Sequence, residues 1–276
     1  MTEINERNEQ IERIEKYEAL MTDVAELIKE PEPTPYTYFK LRKLIRPLEA
    51  YYTSDDWKQD YADDEAGLLP IDLKRGVLSQ DGIYNLLETF DELTADMMSV
   101  VMETERLILR AWTEDDAEAC FDYAKDPRVG PVAGWPVHND VEDSVQVIRD
   151  VLAVPETYAM VLKETGVPIG SIGLHFGSDI SKEADEAELG YVLSPKYWGQ
   201  GLVPEAGEEM LRHAFCDLGA NKVWCAYYEG NDKSRRVQEK LGFKFSYYRE
   251  DVINEQLGEV KNMYVSCLTR EEWEER

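Results

Sequence analysis

The sequence predicts two folds in one chain. An all-α domain covers residues 1–100, and an α+β domain with a mixed, mostly antiparallel sheet and flanking helices covers residues 102–276. Three observations predict this. Apolar residues recur every three or four positions through the first hundred residues, where strand patterns are absent. Alternation of apolar and polar residues starts at Glu105–Trp112 and returns several times afterwards. Between those alternating stretches lie capped segments with helical spacing.

The helical part reads as three helices. Ile4–Glu30 carries Ile11, Ile14, Tyr17, Met21, Val24 and Ile28 on one stripe, with Pro31 and Pro33 as its stop. Tyr36–Tyr52 aligns Phe39, Ile45, Leu48 and Tyr52, and Gln80–Val100 aligns Ile83, Leu86, Leu87, Phe90, Leu93 and Met97. The stretch between them, with Trp57 and Tyr61, reads as a polar link. Helices apolar along one stripe must bury it against each other or a partner. No nucleophile–base pair, phosphate loop or metal spacing occurs here, so the expected role is protein contact.

Beyond Met102 the elements alternate. Strands are expected at 105–112, 158–163, 168–176, 187–193 and 222–228, with a closing hairpin of 245–252 and 260–268. Helices are expected after Thr113, whose partner Asp116 stands at capping-box distance, and over 141–154, 204–218 and 232–241. Met102-Glu103-Thr104-Glu105-Arg106-Leu107 reads like the start of a separate chain, which suggests a fusion seam.

Charge narrows the function. The formal net charge is −27. Residues 1–101 carry 11 basic and 23 acidic side chains, and residues 102–276 carry 19 and 34, so the excess is global. That disfavours nucleic acid, whose phosphates need cationic partners, and it is compatible with cationic substrates such as amines. The chain lacks a long apolar run, and its first residues lack the basic start and apolar centre of a secretory signal, so no membrane partner and a cytoplasmic location are expected. Cys120, Cys216, Cys225 and Cys267 show no paired spacing and are expected as buried reduced thiols. No metal pattern links them to His138, His175 and His213.

The chemistry concentrates between Glu188 and Ser234. Tyr197-Trp198-Gly199-Gln200-Gly201-Leu202-Val203-Pro204-Glu205-Ala206 joins a strand to a helix. Its two glycines let backbone approach a ligand, and free N–H groups at a helix start suit a pyrophosphate. Pro204 fits the first helical position. A Gly-Lys-Ser/Thr ending and a third glycine at dinucleotide spacing are both missing. Upstream, Glu188, Gly190 and Val192 share one strand face, and Ala187, Leu189 and Tyr191 the other.

These words together resemble a known family. Ala187-Glu188-Leu189-Gly190-Tyr191-Val192-Leu193, then Tyr197-Trp198-Gly199-Gln200-Gly201 and Glu205-Ala206, are similar to the acetyl-CoA motif of the GNAT superfamily of N-acetyltransferases, in the branch of the ribosomal-protein N-terminal acetyltransferases (Rim-type). Thr104-Glu105-Arg106-Leu107, Ile169-Gly170 and the word from Asn231 through Ser234 to Phe243 match the same branch, in order, over residues 102–270. The helical part resembles a small all-helical bacterial domain family of unassigned function, through Glu12-Arg13-Ile14-Glu15-Lys16 and Asp64-Glu65-Ala66-Gly67-Leu68-Leu69-Pro70.

The resemblance implies acetyl-CoA as cofactor and a primary amine as acceptor. It implies that the backbone of Tyr191, Val192 and Leu193 pairs with the pantetheine arm. A backbone N–H near Val192 would polarise the thioester carbonyl. The loop of Trp198, Gly199, Gln200, Gly201, Leu202 and Val203 would hold the pyrophosphate, with Asn231 and Ser234 beside the cofactor. Glu188 is the candidate base, and Ser234 the candidate acid, since Val237 stands where many members carry Tyr. Trp135, His138 and Tyr228 are expected near the acceptor. A protein N-terminal amine is the branch's typical acceptor. A small amine (polyamine or antibiotic) and a non-catalytic acyl-CoA-binding module stay open.

Overall fold

The computed structural model describes residues 2–30 and 34–276, with side chains from Arg7 onward. Pro31 and Pro33, the expected stop of the first helix, lie outside the described residues. The chain divides into two compact units, Met1–Asp96 and Met97–Arg276.

The first unit holds α1 (Thr2–Leu27), α2 (Pro35–Tyr52), α3 (Asp55–Glu65) and the start of α4 (Gln80–Met98). Helix α3 corrects the expected polar link. Ser54 caps it by accepting from the Trp57 N–H, and Asp55 and Asp56 suit the positive end of the helix. Its polar composition hid a narrow inner face of Trp57 and Asp60. Ile14, Val24, Leu48, Val77 and Ile83 are fully buried at the centre of this unit. Burial of such side chains stabilises by roughly 1.5–3 kcal/mol each. One polar knot sits among them. Asp60, fully buried, accepts from Tyr51 Oη (2.7 Å), Gln10 Nε2 (2.9 Å) and Arg13 Nη2 (2.6 Å).

The second unit is an eight-stranded sheet in the order β1-β2-β3-β4-β5-β6-β8-β7. The strands are β1 (Met102–Glu103), β2 (Leu107–Ala111), β3 (Thr157–Leu162), β4 (Val167–Phe176), β5 (Glu186–Leu193), β6 (Lys222–Tyr228), β7 (Lys244–Asn254) and β8 (Glu259–Thr269). All neighbours are antiparallel except β5 and β6, which are parallel. A parallel pair needs a crossover, and α8 (Leu202–Arg212) supplies it.

Helices flank the sheet. Thr113 and Asp116 form the expected capping box, which leads into α5 (Ala117–Ala124). A short α6 (Gly130–Ala133), absent from the sequence reading, precedes α7 (Val141–Val147). Cys120, Ala124 and Ile148 pack with Ala159 and Val161 of β3. Ala206, Met210, Leu211 and Phe215 of α8 and its continuation are fully buried. Then follow α9 (Asp232–Lys240) and α10 (Arg270–Glu274). The helices expected at 141–154 and 204–218 run to 152 and 217, their last turns widened to π-type at 148–152 and 213–217. Cys120 and Cys225 are buried as expected, Cys267 is half-buried, and Cys216 is exposed, against expectation. Among the described residues no helix is long and apolar enough to cross a membrane.

Candidate active site

The site begins where two parallel strands part. β5 and β6 pair only at Glu186–Lys222, Ala187–Val223 and Glu188–Trp224. Beyond Glu188, β5 runs on to Leu193 and β6 to Tyr228 without pairing to each other. Main-chain groups in that fork lack sheet partners, and such groups demand hydrogen bonds. Ladder parity identifies them. The Ser194 N–H donates to Ile169 O at 2.8 Å, so even-numbered residues of β5 bond to β4. The main chain of Tyr191 and Leu193 therefore faces the fork, and that of Val192 faces β4. The main-chain groups open to the fork are thus those on either side of Val192.

A cavity of about 1230 Å³ opens at the fork. Glu188, Tyr191, Val192, Leu193, Trp198, Gly199, Gly201, Leu202, Val203, Tyr228, Asn231 and Ser234 all line it. Gln200 does not. It is exposed, and its carbonyl accepts from Arg106 Nη1 at 3.0 Å. Trp135 and His138 do not line it either. Trp135 packs against the α5 core, and buried His138 bonds Ser144 Oγ through Nδ1 at 2.8 Å. Burial pulls the His138 pKa below its usual value, against a weaker pull from Asp143. The wall on that side is Val129, Val132 and Ala133 of the α6 loop.

Gly199 and Gly201 adopt φ of +78° and +79°, which side-chain-bearing residues rarely adopt. They turn the chain into α8, which starts at Leu202, two residues before the expected start. Pro204 thus stands third, still inside the first turn, where no intrahelical acceptor is required of it. Trp198 pins the loop by donating Nε1–H to Leu193 O at 2.8 Å, and Lys233 Nζ lies 3.8 Å from its ring centroid. Although the chain is strongly acidic, the cavity carries Arg128, Lys233, Arg236 and Lys240 against Glu188 and Asp232. Local positive charge, an unpaired strand edge and a glycine turn at a helix start fit a phosphate-bearing, amide-bearing arm such as that of coenzyme A.

The candidate base, Glu188, is half-buried, and among the described residues no hydrogen bond or ion pair ties it. The candidate acid, Ser234, is nearly buried and has its N–H capped by Asn231 Oδ1 at 3.2 Å. Its hydroxyl lies 2.8 Å from Tyr191 Oη, and that phenol is also 3.1 Å from Ser234 O. Burial holds the Tyr191 phenol well above its usual pKa, so it stays protonated. The sequence reading gave Tyr191 a backbone role and missed this hydroxyl. Only the strand alternation, which sets Tyr191 opposite Glu188, hinted at its direction.

Residues 106–244 match the family described as Acetyltransferase (GNAT) domain, and residues 9–100 match a domain of unknown function, DUF4298. The chain is similar to "Uncharacterized N-acetyltransferase YoaA" of Bacillus subtilis, 28% identical over 53% of this chain and 84% of that protein. It is similar to "Uncharacterized N-acetyltransferase p20" of Bacillus licheniformis, 27% identical over 62% and 96%. It is 34% identical, over 27% of its length and 39% of the other's, to "Putative ribosomal N-acetyltransferase YdaF" of Bacillus subtilis. Its fold matches a GNAT-family acetyltransferase structure from Bacillus anthracis with a TM-score of 0.56 at 22% identity, covering 62% of this chain and 99% of that one. The matched family model makes the chain an acyltransferase. The chain belongs to the GNAT acetyltransferase family, whose donor is acetyl-CoA.

Proposed function

We propose that the chain moves an acetyl group from acetyl-CoA to a primary amine, with a protein or peptide N-terminal amine as acceptor. The observation that carries this reading is the parting of β5 and β6 just after an untied Glu188. Acetyl-CoA, when bound, supplies the acetyl group as an activated thioester. Tyr191 and Leu193 turn main-chain groups toward the arm and offer N–H donors to the carbonyl oxygen, where negative charge develops. Gly199 to Val203 present main-chain N–H groups to phosphate. Glu188 takes a proton from the incoming ammonium through water, since the amine must be neutral to attack. The Ser234–Tyr191 hydroxyl pair returns a proton to the departing sulfur. Tyr228, Val132 and Ala133 shape the acceptor wall.

The protein-amine acceptor rests on the branch motifs and on the similarity to a relative named for ribosomal acetylation. A small cationic amine is the second reading, favoured by the net charge of −27. For residues 1–100 we propose protein contacts and no chemistry. A thiol-release assay with acetyl-CoA tests the reading against peptides beginning with Ser, Ala or Thr, polyamines and aminoglycosides. Turnover on peptides is expected, falling roughly 100-fold in Glu188→Gln. Turnover on small amines alone moves the acceptor to the second reading. Binding of coenzyme A without turnover on any amine leaves an acyl-CoA-binding module.

A further inference from the structure

The cavity contains a second proton-binding group that the sequence motifs do not touch. His175 of β4 is the direct cross-strand partner of Glu188. Directly opposed residues of an antiparallel pair project to the same face. Both side chains line the cavity. The ring lies over Gly190, where a Cβ would come within 3.0 Å of Nε2. Gly190 therefore leaves room for an imidazole beside the carboxylate, at the point where β5 leaves β6.

We propose that His175 accepts the acceptor amine's proton together with Glu188, so that the pair, rather than the carboxylate alone, holds it. This rests on reading the cavity as the acetylation site. An imidazole is a better-matched base near neutral pH than a carboxylate. The balance is simple. The ammonium gives one proton to the His175–Glu188 pair, which frees the nitrogen lone pair. That pair of electrons forms the C–N bond as the C–S bond breaks. The departing sulfur takes a proton from the Ser234–Tyr191 hydroxyl pair, which is recharged by the nitrogen's second proton, and the proton on the His175–Glu188 pair leaves to solvent through the cavity.

The surroundings permit this. The residue is exposed to the cavity, and neighbouring protein atoms push the imidazole pKa down while Glu188 pulls it upward. The other charged neighbours are engaged elsewhere. On the β3 side, Glu156 faces His213 and Tyr158. On β5, Glu186 is held by Lys222 and Trp224 of β6. From β6 and the hairpin, Cys225 and Tyr247 sense Glu188 and stay protonated.

Two measurements on the full chain test the proposal. The chain has three histidines, so each imidazole can be titrated by NMR. In Glu188→Gln the His175 pKa is expected to fall by at least about 0.5, because the neighbouring negative charge is gone. An unmoved value overturns the pairing. In steady-state kinetics, His175→Gln is expected to lower kcat about tenfold and to change the acidic limb of its pH profile, with the KM for acetyl-CoA within twofold. A normal pH profile and kcat in that variant overturn the inference and leave the acetylation reading intact. Failure of the unaltered chain to acetylate any amine overturns both.

Discussion

Arg106 clasps Glu205 across 99 positions of sequence: its Nε and Nη2 lie 2.7 and 2.6 Å from Oε2, and its own N–H donates to Oε1 at 2.8 Å. Thr104 Oγ1 adds a bond to Oε1 at 2.6 Å, and Arg106 Nη1 reaches Gln200 O at 3.0 Å. The strand start thus holds both the first turn of α8 and the glycine loop ahead of it. Burial alone would raise the Glu205 pKa, but the bonds from Thr104 and Arg106 outweigh it and hold it below the usual value. Its stabilisation is therefore present above the unfolded pKa and lost as pH falls through the folded one.

The first prediction follows from that clasp. Glu205→Gln keeps the shape and removes the charge, so the loop loosens while Glu188 and the fork stay in place. The KM for acetyl-CoA is expected to rise roughly fivefold, with kcat changed less. Arg106 is 42% exposed, so screening limits the effect to about 1 kcal/mol. Arg106→Met in the same background should add little, since the two residues act as one unit. Additive effects in that double-mutant cycle would refute the clasp.

A second prediction concerns pH. His213 is buried, with Nε2 2.9 Å from Glu156 Oε2 and Nδ1 2.8 Å from Asp217 Oδ2. Burial pushes its pKa down, but the bonds and charges of Glu156 and Asp217 outweigh burial and raise it above the ordinary 6.5. Asp217 is held at about 2, first by Arg212. A raised histidine stabilises the fold fully below its unfolded pKa and loses that contribution as pH rises through the folded value. The melting temperature of the full chain should therefore fall as pH is raised from about 6 into the alkaline range, by roughly 2–4 °C per kcal/mol lost. His213→Gln should flatten that slope, and an equal slope in the variant would remove His213 as its cause.

Much of this was legible in the sequence, and the exceptions have physical reasons. Strand alternation and helix caps located every long strand of the sheet to within a residue or two. The words around Glu188, Gly199 and Asn231 marked one wall of the cavity because close backbone approach and capping leave residue-type signatures. Helix α3 escaped because a segment that buries only Trp57 and a paired Asp60 has no apolar stripe to read. Trp135 and His138 misled because aromatic residues before a helix fill cores and pockets alike, and here His138 has Ser144 as its partner. His175 and the Tyr191 hydroxyl needed the register of β4 on β5 and the placement of α9, which local patterns do not encode. Glu205 reads as a cofactor-motif residue, yet its carboxylate faces Thr104 and Arg106.

A third prediction addresses the helical unit. Asp60 is fully buried, and Arg13, Gln10 and Tyr51 all spend donors on it. Truncating one member of such a network strands the others, which costs about 3–5 kcal/mol for a buried charged pair. Arg13 has a 28% exposed side chain and can turn to water, so the lower figure applies. Asp60→Ala should unfold residues 1–96 at lower urea, with cleavage sites inside that unit opening to protease first. Asp60→Asn keeps one acceptor and should fall between. Equal protease resistance in all three proteins would mean that apolar packing alone holds the helices.

The fourth prediction places the seam. β1 is only Met102–Glu103, yet Met102 is buried and pairs with Leu109. The Thr104 N–H bonds Leu107 O at 2.9 Å, and Thr104 and Arg106 hold Glu205. These described ties between the start of the sheet and α8 lie at or after residue 102. We propose that residues 102–276 form a domain that folds alone, with a single cooperative melting transition and the acetyl-CoA affinity of the full chain. A fragment starting at Ile108 loses β1, the Thr104 turn and the clasp on Glu205. The half-exposed clasp contributes about 1 kcal/mol, and burial of Met102 adds roughly 1.5–3 kcal/mol. The shorter fragment should therefore melt roughly 5–10 °C lower, with a raised KM for acetyl-CoA. If residues 102–276 fail to fold while the full chain does, the seam is misplaced and the α+β domain depends on residues before Met102.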